Sequence, residues 1–359
     1  MELGPAFAFC KKRSYTAEEA EMKQRMCAAA AALKALAAAG VFAFGMGSAL
    51  AQDDIQERSL RFAMSVGANS PWTQAAQRFA DNVEEASGGK IEITVYPDGQ
   101  LSNGNQVAEF ELLQNGTVDF TFHSSIILSI VDPRFSLFSM PWIAPSEEEL
   151  FALIDGPGQR VWDGLSEKGV KPLGGFSTSG FRQLTNNERP VTRPEDLDGL
   201  TLRVPGLKLY QDVFKAMGVN PVPTSFGELY GALQQGVVDG QENPISLIYV
   251  SNFHEVQDYM TIWNYSADAI GILTNQALWD ALSSTEQEIF TTAAKEAASW
   301  HRAEQSAADT KLLEEIEKSL EVTTLTPEQI AAFREKMAPI YAEWEPTIGA
   351  DLMKSAMGN

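Results

Sequence analysis

The stretch RSLRFAMSVGANSPWTQAAQRFADNVEEASGGKIEITVYPDGQL, residues 58–101, changes its hydrophobic period twice. Its opening, SLRFAMSVG, reads as a strand. The middle places Ala75, Phe79 and Val83 on one helical face and stops at Gly88-Gly89. The end alternates Ile91, Ile93 and Val95 with polar neighbours and closes in the turn Pro97-Asp98-Gly99, which is a second strand. A further helix to Gln114 and the strand VDFTFHSS complete a βαβαβ run. That order implies a parallel sheet with loops at the strand ends free to hold a ligand.

The cycle restarts after Gly169. KPLGGFSTSGFRQLTN is a strand-rich crossing, and RPEDLDG is a short turn of helix begun by proline and ended by glycine. LKLYQDVFKAMG sets Tyr210, Val213, Phe214 and Met217 on one face, SFGELYGALQQG carries a capping box from Ser225 to Glu228, and VVDGQENPISLI is a strand leading into a loop. The last third is helical, with one run over 286–320 long enough to span both halves. The fold expected is α/β with two lobes, a cleft between them, hinge strands and a long bracing helix. Residues 57–179 with 268–305 form lobe I, and residues 180–267 with 325–359 form lobe II.

With 359 residues the chain is long enough for two sizeable cores, and its formal charge of −21 argues against nucleic acid and anionic membranes as partners. The N-terminus reads as an export signal. From Met22 the sequence has Lys23 and Arg25, then an Ala-rich apolar run ending in Ala49-Leu50-Ala51, so cleavage is expected after Ala51. Residues 1–21 then read as an over-extended start. Both cysteines, Cys10 and Cys27, fall in the segment removed, which leaves the mature chain without disulfides or a thiol nucleophile.

Enzyme motifs are mostly missing: there is no G-x-S-x-G, G-x-G-x-x-G or P-loop. HEVQD at His254 begins like a zinc helix, but Asp258 stands where the second histidine belongs. Only three histidines are present, so no catalytic residue, metal or cofactor is expected. A rival reading makes the protein a periplasmic enzyme on small acids with Glu228 or Asp239 as general base, but no paired acid accompanies either. A second rival is a ligand sensor for a receptor.

One arginine decides between decoration and function. In DLDGLTLRVPG, residues 196–206, Leu200, Leu202 and Val204 share one face of a strand, and Thr201 and Arg203 share the other. Arg203 sits at a strand end beside the next helix, where α/β sheets bind ligands, and its guanidinium can hold a carboxylate with two parallel hydrogen bonds. By pattern alone a lone arginine on the outer face of a strand is more often a surface residue than a ligand anchor.

The run from Arg193 to Thr261 resembles the solute-binding subunits of TRAP (tripartite ATP-independent periplasmic) transporters. It carries G-L-x-L-R-V-P, N-P-V-P-x-x-F-x-E-L-Y-x-A-L-Q, G-V-V-D-G-Q-E-N-P and F-H-E-V-Q-D-Y. Upstream, ASGGKIEITVYPDGQLSNG, GTVDF and SMPWIAPSEEEL fit the same family, so the likeness covers residues 58–345. The resemblance implies a periplasmic monomer that captures a small organic acid and delivers it to a small and a large membrane subunit. It places the carboxylate-pairing arginine on Arg203 and a second arginine on Arg182, in GFRQLT. It also puts Asn243, from QENP, and Phe226 in the pocket. Trp72, Ser65 and Ser124 occupy lining positions of the first lobe. Sialic-acid binders carry a glutamate where this chain has Ser124, so weak sialic acid binding is implied. A compact monoanion fits best, and a C4-dicarboxylate would need Arg182 to take the second carboxylate.

Overall fold

In the computed structural model, which describes residues 54–357, β1 (Arg58–Ala63) pairs in parallel with β2 (Ile91–Tyr96) and β3 (Phe120–Ser124). The crossover helix Pro71–Ala86 begins where the Ser70 side chain accepts from the Thr73 amide, with proline in the first turn where no backbone donor is needed. Its inner face buries Ala75, Phe79 and Val83, and Phe79 meets Phe62 and Phe120 edge-on at 5.8 and 5.2 Å between centroids. β10 (Ile270–Asn275) inserts antiparallel between β3 and β4 (Val170–Ser177), giving a five-stranded mixed sheet of order β2-β1-β3-β10-β4. The proposed leader, residues 1–51 with its over-extended start, lies outside the described residues.

The second sheet has six strands in the order β11-β9-β5-β8-β6-β7. These are β5 (Arg182–Asn186), β6 (Thr201–Val204), β7 (Asn220–Pro223), β8 (Gly240–Pro244), β9 (Tyr259–Ile262) and β11 (Glu321–Thr324). The chain passes between sheets from β4 to β5 through residues 178–181, and from β9 back to β10 through residues 263–269. Those two crossings, and the long helix that returns the chain to β11, are the connections a hinge requires.

The long helix runs Ser284–Ile316, 33 residues, slightly earlier than the 286–320 expected. It packs against Pro71–Ala86 and β4 of the first sheet and against the helix Ile245–Val250 beyond the second. Close approach to β4 rests on small residues. Ala293, Ala294, Ala297 and Ala298 are buried, and a Cβ on Gly175 would stand 2.5 Å from Lys295 Cα. The helix Ala338–Ile348, assigned to lobe II by sequence, packs on both Pro133–Ser139 and Lys208–Ala216, so it touches both halves. One apolar cluster accordingly runs from Ala63 and Phe110 through Leu202 and Trp263 to Trp344.

Two local expectations come out differently. The stretch after QENP forms a helix, Ile245–Val250, where a loop was expected, because Pro244 occupies the position before the first turn and costs no hydrogen bond there. The Ser225–Glu228 capping box does not form. The Ser225 hydroxyl donates to the Glu228 carboxylate at 2.6 Å and caps no backbone amide.

The capping box at Ser283 does form and reaches further than its own helix. Glu286 accepts from the Ser283 amide at 2.8 Å, the Gln56 amide at 3.0 Å and Arg58 Nε at 2.9 Å, so it pins the start of β1 to the start of the long helix. Burial raises the Glu286 pKa, but Arg58 and the two backbone amides outweigh it and hold the carboxyl below its ordinary value. Its stability contribution is present above the ordinary carboxylate range and is lost as pH falls through the lowered value. Glu286→Gln should lower the urea midpoint at pH 7 by an amount worth about 1–3 kcal/mol without changing m, and the gap to the wild type should narrow toward pH 3.

Candidate functional site

Strand β8 is the unusual element, because Gln241, Glu242 and Asn243 are all buried on a strand paired on both sides. Buried polar groups must find partners, and here they form a relay. Arg182 Nη2 donates to Asn243 Oδ1 at 3.1 Å, Asn243 Nδ2 to Gln241 Oε1, Gln241 Nε2 to Thr185 Oγ1 at 2.9 Å, and Thr185 to Gln257 Oε1 at 2.8 Å. The antiparallel register of β5 on β8 sets Arg182 opposite Pro244 and Thr185 opposite Gln241, which brings the partners of the relay within reach of one another. One hydrogen of the Asn243 amide remains unspent on the cavity side.

The two arginines have different environments. Arg182 Nε donates to Glu242 Oε2, and its Nη2 donates to Glu242 Oε1 at 2.9 Å and to the Glu242 carbonyl at 2.7 Å. Tyr265 donates to the same carboxylate at 2.6 Å, and the guanidinium lies 5.5 Å over the Tyr210 ring. Burial alone would lower the Arg182 pKa, yet the Glu242 charge raises it well above the ordinary value. Arg203 is 4% exposed, and only its Nε is engaged, donating to the Thr224 carbonyl at 2.9 Å. Among the described residues neither of its terminal nitrogens has a hydrogen-bond partner. Burial pushes its pKa down to about 10, with Glu242 opposing and Arg182 adding to the depression. That is the behaviour of a cation whose burial is only partly offset by nearby charge.

Both arginines line a cavity of about 240 Å³ with Asn243, Phe226, Trp72 and Ser124. Trp72 stands at the start of its helix, edge-on to Phe122 at 5.9 Å, and Phe226 is edge-on to Phe253 at 5.8 Å, so both rings are braced from behind. Ser124 ends β3, and its hydroxyl donates to Asp268 at 2.5 Å while accepting from the Ile126 amide at 3.1 Å. Over the cavity the two halves meet backbone to backbone. A Cβ on Gly227 would lie 3.2 Å from Gly104 Cα, beside Asn105 and Gln106 on one side and Ser225 and Phe226 on the other.

Six of the seven residues expected at a site are therefore brought together, and Ser65 is placed elsewhere. Its hydroxyl donates to the buried Glu109 carboxyl at 2.6 Å, and Ser65 is absent from the cavity wall. Glu228 and Asp239, the general bases of the rival enzyme reading, are not on the wall either. Asp239 accepts from the Thr201 amide at 2.7 Å and Glu228 from Ser225. Burial pushes His123 and His301 down to about 3, which keeps both neutral. No cluster of potential metal ligands occurs among the described residues. The sequence reasoning passed over Glu242 and Asp268. Glu242 sat inside a motif that had already been quoted, and Asp268, in YSADAI, gave no local signal.

This constellation, a buried arginine on a cavity between two sheets joined by crossing strands, is that of a two-lobed solute-binding protein. The chain matches the family described as bacterial extracellular solute-binding protein, family 7 (DctP), over residues 62–347, and it belongs to that family. It is 33% identical over 310 residues to the C4-dicarboxylate-binding protein DctB of Bacillus subtilis, covering 85% of this chain and 88% of that one. A TRAP periplasmic solute-binding protein from Sulfurospirillum deleyianum, solved with bound succinate, superposes with a TM-score of 0.80 at 33% identity, covering 84% of this chain and 99% of that one. The sugar-acid-binding protein DctPAm of Advenella mimigardefordensis, solved with galactonate, gives 0.82 at 31% identity, covering 85% and 98%. The family is a substrate-binding component of TRAP transport, and these relatives hold carboxylates and sugar acids.

The buried Glu109 gives the fold a pH signature of its own. Burial raises its carboxyl from 4.5 to about 7, against the opposing hydrogen bonds from Ser65 and Ser102. The folded state thus holds a proton that the unfolded chain has released. Stability from this group is full below 4.5, falls as pH rises toward 7 and levels off above. Glu109→Gln should remove this fall, so that its thermal midpoint gains on the wild type between pH 5 and pH 8 by the equivalent of about 2 kcal/mol.

Proposed function

We propose that this protein captures an organic acid as a monoanion, with the carboxylate on the two terminal nitrogens of Arg203. The observation that carries the reading is that Arg203 is buried, faces the cavity and lacks a counterion, while the charge of Arg182 is matched by Glu242. Each charge-assisted hydrogen bond to such a carboxylate contributes about 1.5–3 kcal/mol, and the fork supplies two in parallel. Asn243 adds a neutral donor, and Trp72 and Phe226 offer flat faces to the body of the ligand. Ser124, its proton committed to Asp268, shapes the wall without donating to the ligand. A C4-dicarboxylate is disfavoured because the charge of Arg182 is already matched by Glu242, so a second carboxylate would find no unmatched cation there. Catalysis is no part of this reading.

In the same proposal the chain is exported, cleaved after Ala51 and active in the periplasm as a monomer. Lobe I, 57–179 with 268–305, and lobe II, 180–267 with 325–359, close about residues 178–181 and 263–269. The closed form hands the acid to the small and large TRAP membrane subunits. The close approach of Gly104 and Gly227 supports contact between the lobes above the bound ligand.

The test is a thermal-shift panel of neutral sugars, amino acids, mono- and dicarboxylates and sialic acid, followed by calorimetry of Arg203→Lys. A ligand that binds the folded state raises the midpoint by mass action. The largest shifts should come from monocarboxylates. Arg203→Lys should weaken the best of them by at least about tenfold, because an ammonium cannot reproduce the fork. Shifts from a neutral sugar and from no carboxylate would reject the reading.

A further inference from the structure

Asp268 is the acidic residue on the cavity wall. Its Oδ1 accepts from the Ser179 amide at 2.9 Å, the Ser179 hydroxyl at 2.6 Å and, more distantly, Thr178 at 3.4 Å. Its Oδ2 accepts from Ser124 alone, at 2.5 Å. No cationic side chain pairs with it among the described residues, although it is 1% exposed. A carboxylate oxygen accepts about two hydrogen bonds. Oδ1 is therefore saturated, and Oδ2 keeps acceptor capacity on a wall shared with Arg203.

The charges on and behind the wall then sum simply. Arg182 is matched by Glu242, Arg203 is an unmatched cation, and Asp268 is an unmatched anion. A ligand carboxylate satisfies Arg203. A second ligand carboxylate would meet Asp268 with no cation between them, and like charges at short range in a dry cavity repel strongly. A hydroxyl, amide or ammonium at that end would instead donate to Oδ2.

We propose that Asp268 is a specificity-determining residue that rejects a second carboxylate and selects acids whose far end carries a hydrogen-bond donor. This rests on the reading that Arg203 anchors the first carboxylate. Asp268 also ties the two crossings together through Ser179 and Thr178 and holds β3 through Ser124, so a purely structural role is the alternative that the test must separate.

The probes are succinate and succinamate, which have nearly the same shape and differ at one end by a charge and a donor. On the wild-type protein, calorimetry should give succinamate an affinity at least about tenfold above that of succinate. Asp268→Asn, which keeps the size and part of the hydrogen bonding, should raise succinate affinity at least about tenfold. Equal or tighter binding of succinate by the wild type overturns the proposal, and so does unchanged or weaker succinate binding in a folded Asn variant. The wild-type comparison decides alone if the variant does not fold. Arg203→Lys measured with succinamate tells the two failures apart. If it abolishes binding while Asp268→Asn leaves the preference unaltered, the anchor stands and the Asp268 role falls. If Arg203→Lys has no effect, the anchor falls and the proposal with it.

Discussion

In the proposed reading, the ion pair between Arg182 and Glu242 decides what the site can bind. Two buried charges are costly unless they are well hydrogen-bonded; Arg182 reaches both Glu242 oxygens, and Tyr265 adds a donor to the same carboxylate. Its effect is to remove one arginine from the cavity's charge. Arg203, held only through Nε by the Thr224 carbonyl, is left to set the sign of the ligand. On that reading, without Glu242 the cavity would present two unmatched cations and favour dianions, and with it the cavity calls for one carboxylate.

The crossings that join the sheets carry the remaining chemistry. Arg182 begins β5 directly after one crossing, and Asp268 lies near the end of the other, two residues before β10. Ser179 and Thr178 bind Asp268 across the gap between the two segments. In the proposed closure, ligand-facing groups at these crossings would feel both the bound acid and the relative position of the lobes, so binding and closure would be coupled through the same side chains. The long helix packs against elements of both halves.

Much of this was legible in the sequence, and the parts that were not share a physical cause. The helix Pro71–Ala86 and strands β1 to β3 were readable because their apolar periods point at one core. The position of Arg203 was readable as a strand end, but its burial was not. A single arginine looks the same facing solvent or a cavity, and only the family resemblance separated the two. Arg182 was read as a free cation because its neutralising partner lies 60 residues away, on the strand paired with it. Asp268 was missed for the same reason, since its donors come from residues 124, 178 and 179. Ser65 was placed in the pocket by position alone, whereas Glu109 holds its hydroxyl inside lobe I. The antiparallel insertion of β10 between β3 and β4 was equally invisible, because strand order follows from packing between distant segments.

A crystal structure of the protein with the tightest acid found by screening tests the central claim most directly. The account predicts both carboxylate oxygens at about 2.7–2.9 Å from the two terminal nitrogens of Arg203, with Arg182 still paired to Glu242. A carboxylate seated on Arg182 with Glu242 displaced, and Arg203 left unpartnered, would contradict it.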